Sequence, residues 1–347
     1  MSTVPSSNIL VPLDGSALAE QALWVAARLA RRLHGVLHLV TVRVPTPTAG
    51  DRTGEPTARG DSGREIRHDL REYLEGKAEE LATAHGVCSS CGVLHGWPPD
   101  ALADYVRAND IALVVMTTHG RSGVSRCWIG SVTDGLLARA RAPVLLLRPG
   151  LAAPTARFQR ILVALDGSAG SKKVLAQAVA LGSVEPGTEY TLVEVVEPPM
   201  PVPHHPPVHP GPDPADSLVR RREAAAQDLE RLAERLRKRG LTVTTRVLVA
   251  QRVAEQLITL AQSLGSDLIV VGTQRPRTTE RLLLGSVADK VVRGASQPVL
   301  VIPVRKRLTH AARGPVRRSA TAASTAPPPP RLSRSSHRLH SGFRARV

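Results

Sequence analysis

Short apolar runs alternate with longer stretches in which apolar residues recur every three to four positions. Ile9 to Leu13 is a run of the first kind and reads as a strand. Ala17 to Leu33 is of the second kind, with Leu18, Ala22, Val25, Leu29 and Leu33 able to share one helical face. Gly35 is expected to stop that helix, and Val36 to Val44 reads as a second strand. Pro45 to Gly63 has no period and reads as a loop. Arg64 to His85 is a charged amphipathic helix ended by Gly86, and Val87 to His95 is a third strand. Pro98 and Pro99 open a helix that runs to about Asn109, proline being tolerated in a first turn. Ile111 to Met116 is a fully apolar fourth strand. A loop from Thr117 to Ile129, a helix from Gly130 to Ala140 and a fifth strand from Val144 to Leu147 follow.

The same order then repeats. Strands are expected near Ile161–Leu165, Tyr190–Val196, Leu241–Val249, Leu268–Val271 and Val299–Ile302. Helices are expected near Ser171–Leu181, Asp216–Arg239, Val253–Leu264 and Ser286–Arg293. The residues recur with the pattern. Ile9-Leu10-Val11-Pro12-Leu13-Asp14-Gly15-Ser16 returns as Ile161-Leu162-Val163-Ala164-Leu165-Asp166-Gly167-Ser168, 152 positions on. Gly130-Ser131-Val132 returns as Gly285-Ser286-Val287, and Pro143-Val144-Leu145 as Pro298-Val299-Leu300, both 155 positions on. A period the size of a domain means two copies of one domain, not a short-repeat solenoid.

Near-continuous apolar strands alternating with helices imply an α/β architecture. Two doubly wound domains are expected, each with a five-stranded parallel sheet covered on both faces. The domains are expected over residues 1–150 and 151–304, with a short linker from Arg148 to Pro154 that favours docking of the two halves. Ligands of such folds sit beyond the carboxyl ends of the strands, so the residues after strands one, two and four matter most.

Aromatic residues make up 2% of the chain, so its cores must be built from Val, Leu, Ile and Ala. The net charge is +16, but residues 305–347 hold 11 Arg and Lys and no acid, which leaves 35 basic against 30 acidic residues elsewhere. That tail, with Pro327 to Pro330, cannot bury a core; it reads as a disordered extension or a weak nucleic-acid contact. Three cysteines, Cys88, Cys91 and Cys127, cannot form a disulfide framework. The first eight residues do not read as a signal peptide, and no run reaches the ~20 apolar residues of a membrane span. A cytoplasmic protein without membrane contact is expected.

The loop after strand four carries the candidate chemistry. Gly120 and Gly123 let the main chain turn and expose amides, and Gly130-Ser131-Val132 opens a helix whose N-terminus suits phosphate. Ser131 either caps that helix or donates to a phosphate oxygen. Arg121 and Arg126 add charge nearby. Asp14 and Asp166 close their strands at the same sheet edge; such a carboxylate either accepts from a ribose hydroxyl, holds a magnesium ion, or caps the next helix.

On these residues the chain resembles a tandem universal stress protein. That family's nucleotide motif is glycine, two residues, glycine, nine residues, glycine, then serine or threonine. Gly120, Gly130 and Ser131 match it in the first copy, with Thr117 in place of the first glycine. Gly272, Gly285 and Ser286 match in the second, followed by Val287, with Arg275 in place of the middle glycine. The resemblance places the family's aspartate on Asp14 and Asp166. It places the adenine-lining valine on Val42 and Val195, and the residue before the first motif glycine on Met116 and Val271. It implies strand order 3-2-1-4-5, ATP binding with or without Mg2+, and pairing of domains through their last strands. It implies no defined reaction. The first site is expected to be the better one, because Arg275 and Pro276 sit where backbone must approach the phosphates.

Three other groupings have simpler explanations. Cys88 and Cys91 have redox spacing but lie at a strand, where residues three apart face opposite sides. His204, His205 and His209 lie among prolines in a loop. His119 has no paired nucleophile. There is no G-x-x-x-x-G-K-[ST] motif and no G-x-G-x-x-G after strand one. The expected function is an ATP-binding regulatory protein whose occupancy sets conformation or affinity for a protein partner, with the two halves paired and two chains able to associate further. A nucleotide-free interaction module and a slow ATP hydrolase are the alternatives.

Overall fold

The computed structural model describes residues 7–44, 59–118, 130–148, 157–199, 214–274 and 285–304. The first half runs β1 (Ile9–Pro12), α1 (Ala17–Leu33), β2 (Leu37–Arg43), α2 (Arg59–His85), β3 (Ser89–His95), α3 (Pro98–Ala108), β4 (Leu113–Thr117), α4 (Ser131–Arg139) and β5 (Val144–Leu147). The second half repeats it as β6 (Arg160–Leu165), α5 (Ser171–Gly182), β7 (Glu189–Val196), α6 (Pro214–Arg237), β8 (Thr242–Val249), α7 (Val253–Ser263), β9 (Leu268–Gln274), α8 (Ser286–Gly294) and β10 (Val299–Val304).

The ten strands of the described residues form one sheet in the order β3-β2-β1-β4-β5-β10-β9-β6-β7-β8. Each half is parallel with order 3-2-1-4-5, as the resemblance implied. The halves meet where β5 and β10 run antiparallel, with Leu145 opposite Leu300. This pairing removes two edges that would otherwise present unpaired main chain. It also explains why Val144–Leu147 is buried along its whole length.

Side chains alternate across the sheet into two apolar layers. Ile9, Val11, Leu37 and Leu39 face α1 and α2, and Leu192, Val270 and Leu300 continue that layer into the second half. Leu10, Val40, Val114 and Leu146 face α3 and α4, and Ile269, Val299 and Val301 continue this second layer. Each layer therefore crosses the junction, and the two halves share their cores.

Polar contacts bridge the halves on both faces. On one, the Arg28 guanidinium of α1 lies 5.8 Å from the ring centre of the buried Phe158 and pairs with Glu185 at 3.4 Å. On the other, Arg293 of α8 donates to Asp134 of α4 at 3.2 Å. Arg148 also donates to the Val292 carbonyl.

Several local expectations are corrected. His34, not Gly35, takes the left-handed conformation that ends α1, at φ 51 and ψ 38. Gly35 is small for another reason: a Cβ there would meet the Ser7 carbonyl oxygen at 2.0 Å. Helix α2 starts at Arg59, inside the stretch expected to be loop. Strand β9 continues to Gln274 because β10 pairs with it through Val304. Among the described residues no helix is long and apolar enough to cross a membrane.

Candidate functional site

In the first half the ends of β1, β2 and β4 and the start of α4 enclose a cavity of about 470 Å³. This is the switch point of a doubly wound sheet, where β1 is flanked by β2 on one side and β4 on the other. Its volume lies within the ~300–1,000 Å³ typical of ligand pockets. Asp14, Val42, Met116, Gly130, Ser131 and Val132 all line it. Leu102 of α3 and Val40 complete an apolar wall.

Asp14 follows β1 and starts a tight turn. Gly15 takes φ 80, which favours glycine. The Asp14 Oδ1 accepts from the Ser16 amide at 3.0 Å and the Ser16 hydroxyl at 2.6 Å. The Ser16 Oγ in turn accepts from the Ala19 amide at 3.2 Å, so the cap of α1 is Ser16, with Asp14 holding it in place.

At the other side of the cavity, α4 begins without a side-chain cap. Its N-cap is Gly130, at φ −59 and ψ 146, so Ser131 is the first helical residue and not the cap. The Gly130 amide donates to the Thr118 carbonyl at 2.9 Å, pinning the two ends of the excursion between β4 and α4. The Thr133 hydroxyl donates to the Thr117 carbonyl at 3.4 Å and so turns inward. A helix start without a capping side chain carries unpaired donor capacity and a partial positive charge. Gly120, Gly123, Arg121, Arg126 and His119 lie outside the described residues.

In the second half the matching cavity is about 300 Å³. Asp166, Val195, Val271, Gly272, Gly285, Ser286 and Val287 line it. Its loop is built differently. The Asp166 Oδ1 accepts from the Ser168 amide at 3.0 Å and the Ser171 hydroxyl at 2.8 Å. The cap of α5 is Gly170, two residues later than its counterpart in the first half. A Cβ on Gly170 would fall 2.1 Å from the Val304 Cγ1, which shows how closely the end of β10 presses on this loop. Gly272 lies within β9, where a Cβ would meet Val174 at 2.9 Å, so its small size serves packing. Gly285 caps α8 as Gly130 caps α4, with no side-chain cap bond, and its amide donates to the Thr273 hydroxyl at 3.2 Å. Arg275 and Pro276 lie outside the described residues.

Sequence reasoning missed Thr133, Ser171 and Val304. Thr133 and Ser171 each lie in a first helical turn beside a strand-end carbonyl or carboxylate, a placement that hydrophobic periodicity does not reveal. Glu194, at the position matching Thr41, was also missed. Its carboxyl is pushed above the usual range by burial first, then by the Asp166 and Asp228 carboxylates, with Arg221 opposing.

Elsewhere, Cys88 is exposed and Cys91 half-buried, both as free thiols. Burial raises the Cys91 thiol, with Glu75 adding to the effect and Arg71 opposing it, so no thiolate is favoured there. Among the described residues no group of three or more His, Cys, Asp and Glu comes together as a metal site. Cys127, His204, His205, His209 and the tail at 305–347 lie outside the described residues.

A model of the universal stress protein family matches the chain twice, over residues 6–148 and 157–303. Universal stress protein Rv2005c of Mycobacterium tuberculosis is 31% identical over 306 residues, covering 85% of this chain and 96% of that protein. Universal stress protein Rv1996 of the same organism is 28% identical over 316 residues, covering 85% and 94% respectively. Among solved structures, a universal stress protein from Archaeoglobus fulgidus aligns with a TM-score of 0.65 at 18% identity, covering 86% of this chain and 99% of that one. That last likeness is one of fold.

Proposed function

This chain belongs to the universal stress protein family, and on that premise we propose that it is an ATP-binding regulatory protein whose first half holds the tighter site. The observation that carries this reading is the start of α4. The N-cap is Gly130, a residue favoured there that brings no side chain to occupy the first-turn amides. Its φ of −59 is open to any residue, and among the described residues a Cβ would meet nothing closer than 3.5 Å. What a bare cap does permit is close approach of phosphate oxygens to the main chain.

The chemistry divides across the cavity. The apolar wall of Val40, Val42, Leu102 and Met116 suits a purine ring. The first turn of α4 faces the polyphosphate. The Asp14 carboxylate accepts from a ribose hydroxyl or meets a magnesium ion bound with the nucleotide. In this reading occupancy itself is the signal. The second cavity, smaller and pressed by Val304, takes the same ligand more weakly.

The test begins with heat release and identification of nucleotide from freshly isolated protein. Asp14→Asn then separates the two duties of that residue. Asparagine keeps an acceptor oxygen for Ser16 but lacks the charge, so the turn persists. ATP affinity should fall about tenfold, the scale of one hydrogen bond to a charged group. ATP binding unchanged by this substitution would remove Asp14 from the site. Absence of bound nucleotide together with no ATP effect on melting temperature would leave a nucleotide-free interaction module instead.

A further inference from the structure

One guanidinium is shared by the two helices whose first turns line the two cavities. Arg293 lies in the last turn of α8. Its Nε donates to Asp289 Oδ1 at 2.9 Å and Oδ2 at 3.0 Å, within the second half. Its Nη2 donates to Asp134 Oδ1 at 3.3 Å and Oδ2 at 3.2 Å, across the junction. Asp134 and Asp289 occupy the same position in α4 and α8, each in the first turn of its helix. The Asp134 amide donates to the Gly130 carbonyl at 3.0 Å, and the Asp289 amide to the Gly285 carbonyl at 2.9 Å. Each carboxylate thus sits on the residue whose amide makes the helical bond back to the glycine cap of its own site.

The arrangement is one-sided. The position of the first half that matches Arg293 is Ala138, so one cation serves two anions. The partner pairing is also held from the first half, because Arg148 donates to the carbonyl of Val292, beside Arg293. A fork with several donors in one plane can hold two carboxylates, which an ammonium cannot do with the same geometry.

We infer that Arg293 is a positioning residue that couples the two candidate nucleotide sites and makes them oppose each other. The inference rests on the ATP reading above. A first-turn carboxylate and a bound phosphate compete for the same positive helix end and repel each other. Arg293 damps that repulsion at both helices. Polyphosphate arriving at α4 places more negative charge beside Asp134 and draws the guanidinium toward it. Asp289 is then less neutralised, and α8 becomes a poorer anion site. By reciprocity, occupancy of the second site weakens the first to the same degree. The ion pairs are half-exposed, with Arg293 at 35% and Asp134 at 44%, so screening keeps the effect near the low end of the usual range. A coupling of about fivefold is expected.

The experiment is calorimetric titration of the full chain with ATP, resolving two steps. In the wild type the second step should be weakened by the first. Asp134→Asn removes the charge that holds the guanidinium across the junction but leaves the cavity lining and the Asp289–Arg293 pair intact. It should tighten the second step about fivefold, although the change lies in the other half. Asp134→Glu should keep the wild-type ratio of the two steps. Arg293→Gln should weaken both sites and make them independent. A purely structural role would lower the melting temperature without moving that ratio. The inference is overturned if Asp134→Asn, folded with an unchanged melting temperature, alters the first step alone, or if it and the wild type both show a single step. No heat at either site in the wild type is a different result: it overturns the ATP reading, and the coupling with it.

Discussion

Replacing Gly130 with alanine separates what the fold needs from what the ligand needs. At φ −59 and ψ 146 alanine is unstrained, and its Cβ would lie 3.5 Å from the Thr118 carbonyl oxygen and 3.9 Å from the Thr133 hydroxyl. Those are ordinary van der Waals distances. The remaining cost is that of alanine at an N-cap, about 0.5–1 kcal/mol. For a body of this size that lowers the melting temperature by no more than about 3 °C. Binding should respond more. A methyl group at the bare cap holds phosphate oxygens off the amides of the first turn, which we put at about a tenfold loss, or ~1.4 kcal/mol. ATP at one hundred times its dissociation constant stabilises the folded chain by about 2.7 kcal/mol. At the same concentration the variant should retain roughly half of that, about 1.4 kcal/mol.

The assay is thermal unfolding with and without ATP. Gly272→Ala serves as the contrast. There a Cβ would meet Val174 at 2.9 Å and Val304 at 3.3 Å, so overpacking should cost about 1–3 kcal/mol without any ligand. Two results would refute the reasoning. One is a Gly130→Ala protein as destabilised as Gly272→Ala, which would make the cap glycine structural. The other is a Gly130→Ala protein whose ATP-dependent shift equals that of the wild type.

Further outcomes follow from the same geometry. Phe158→Ala empties a site only 1% exposed beneath Arg28, and should cost about 3–5 kcal/mol in urea unfolding; a loss below ~1 kcal/mol would show that the junction collapses around it. Glu194 resists ionisation in the folded chain, chiefly through burial and then through Asp166. The folded form therefore binds more protons than the unfolded one in the window just above the ordinary glutamate pKa, and stability falls as pH rises through it. Glu194→Gln should flatten that fall and be the more stable protein at neutral pH; parallel pH profiles for the two proteins would exclude the effect. Raising salt should also shrink the ratio between the two ATP steps, since half-exposed ion pairs are screened.

Much of the local structure was legible because it depends on neighbours in sequence. Ala17–Leu33 and Val144–Leu147 have the expected bounds, since an amphipathic period and a four-residue apolar run each declare themselves locally. Boundaries slipped where the deciding contact is distant. Gln274 joins β9 because Val304 pairs with it, although nothing polar at that position announces a strand. Arg59 to Gly63 lacks apolar period, yet the chain there is helical. In the first-half site, Asp14, Val42, Met116 and Gly130 were named from the repeat and the family pattern, and they line one cavity. Thr133, Ser171 and Val304 were not named, because their parts depend on which strand end each helix start meets.

The order of apolar and polar residues was enough, by itself, to determine two α/β copies, their parallel strands and the glycine-led helix starts at residues 130 and 285. Those properties are set by periodicity, by backbone freedom and by spacing along one chain. Only the tertiary structure decided the register of the junction between β5 and β10, with Leu145 opposite Leu300, that Val304 closes on the second cavity, and that one arginine answers two aspartates. Each of these depends on residues more than a hundred positions apart meeting at a particular angle. A hydrophobic pattern states which face is buried, but not which buried face it will meet.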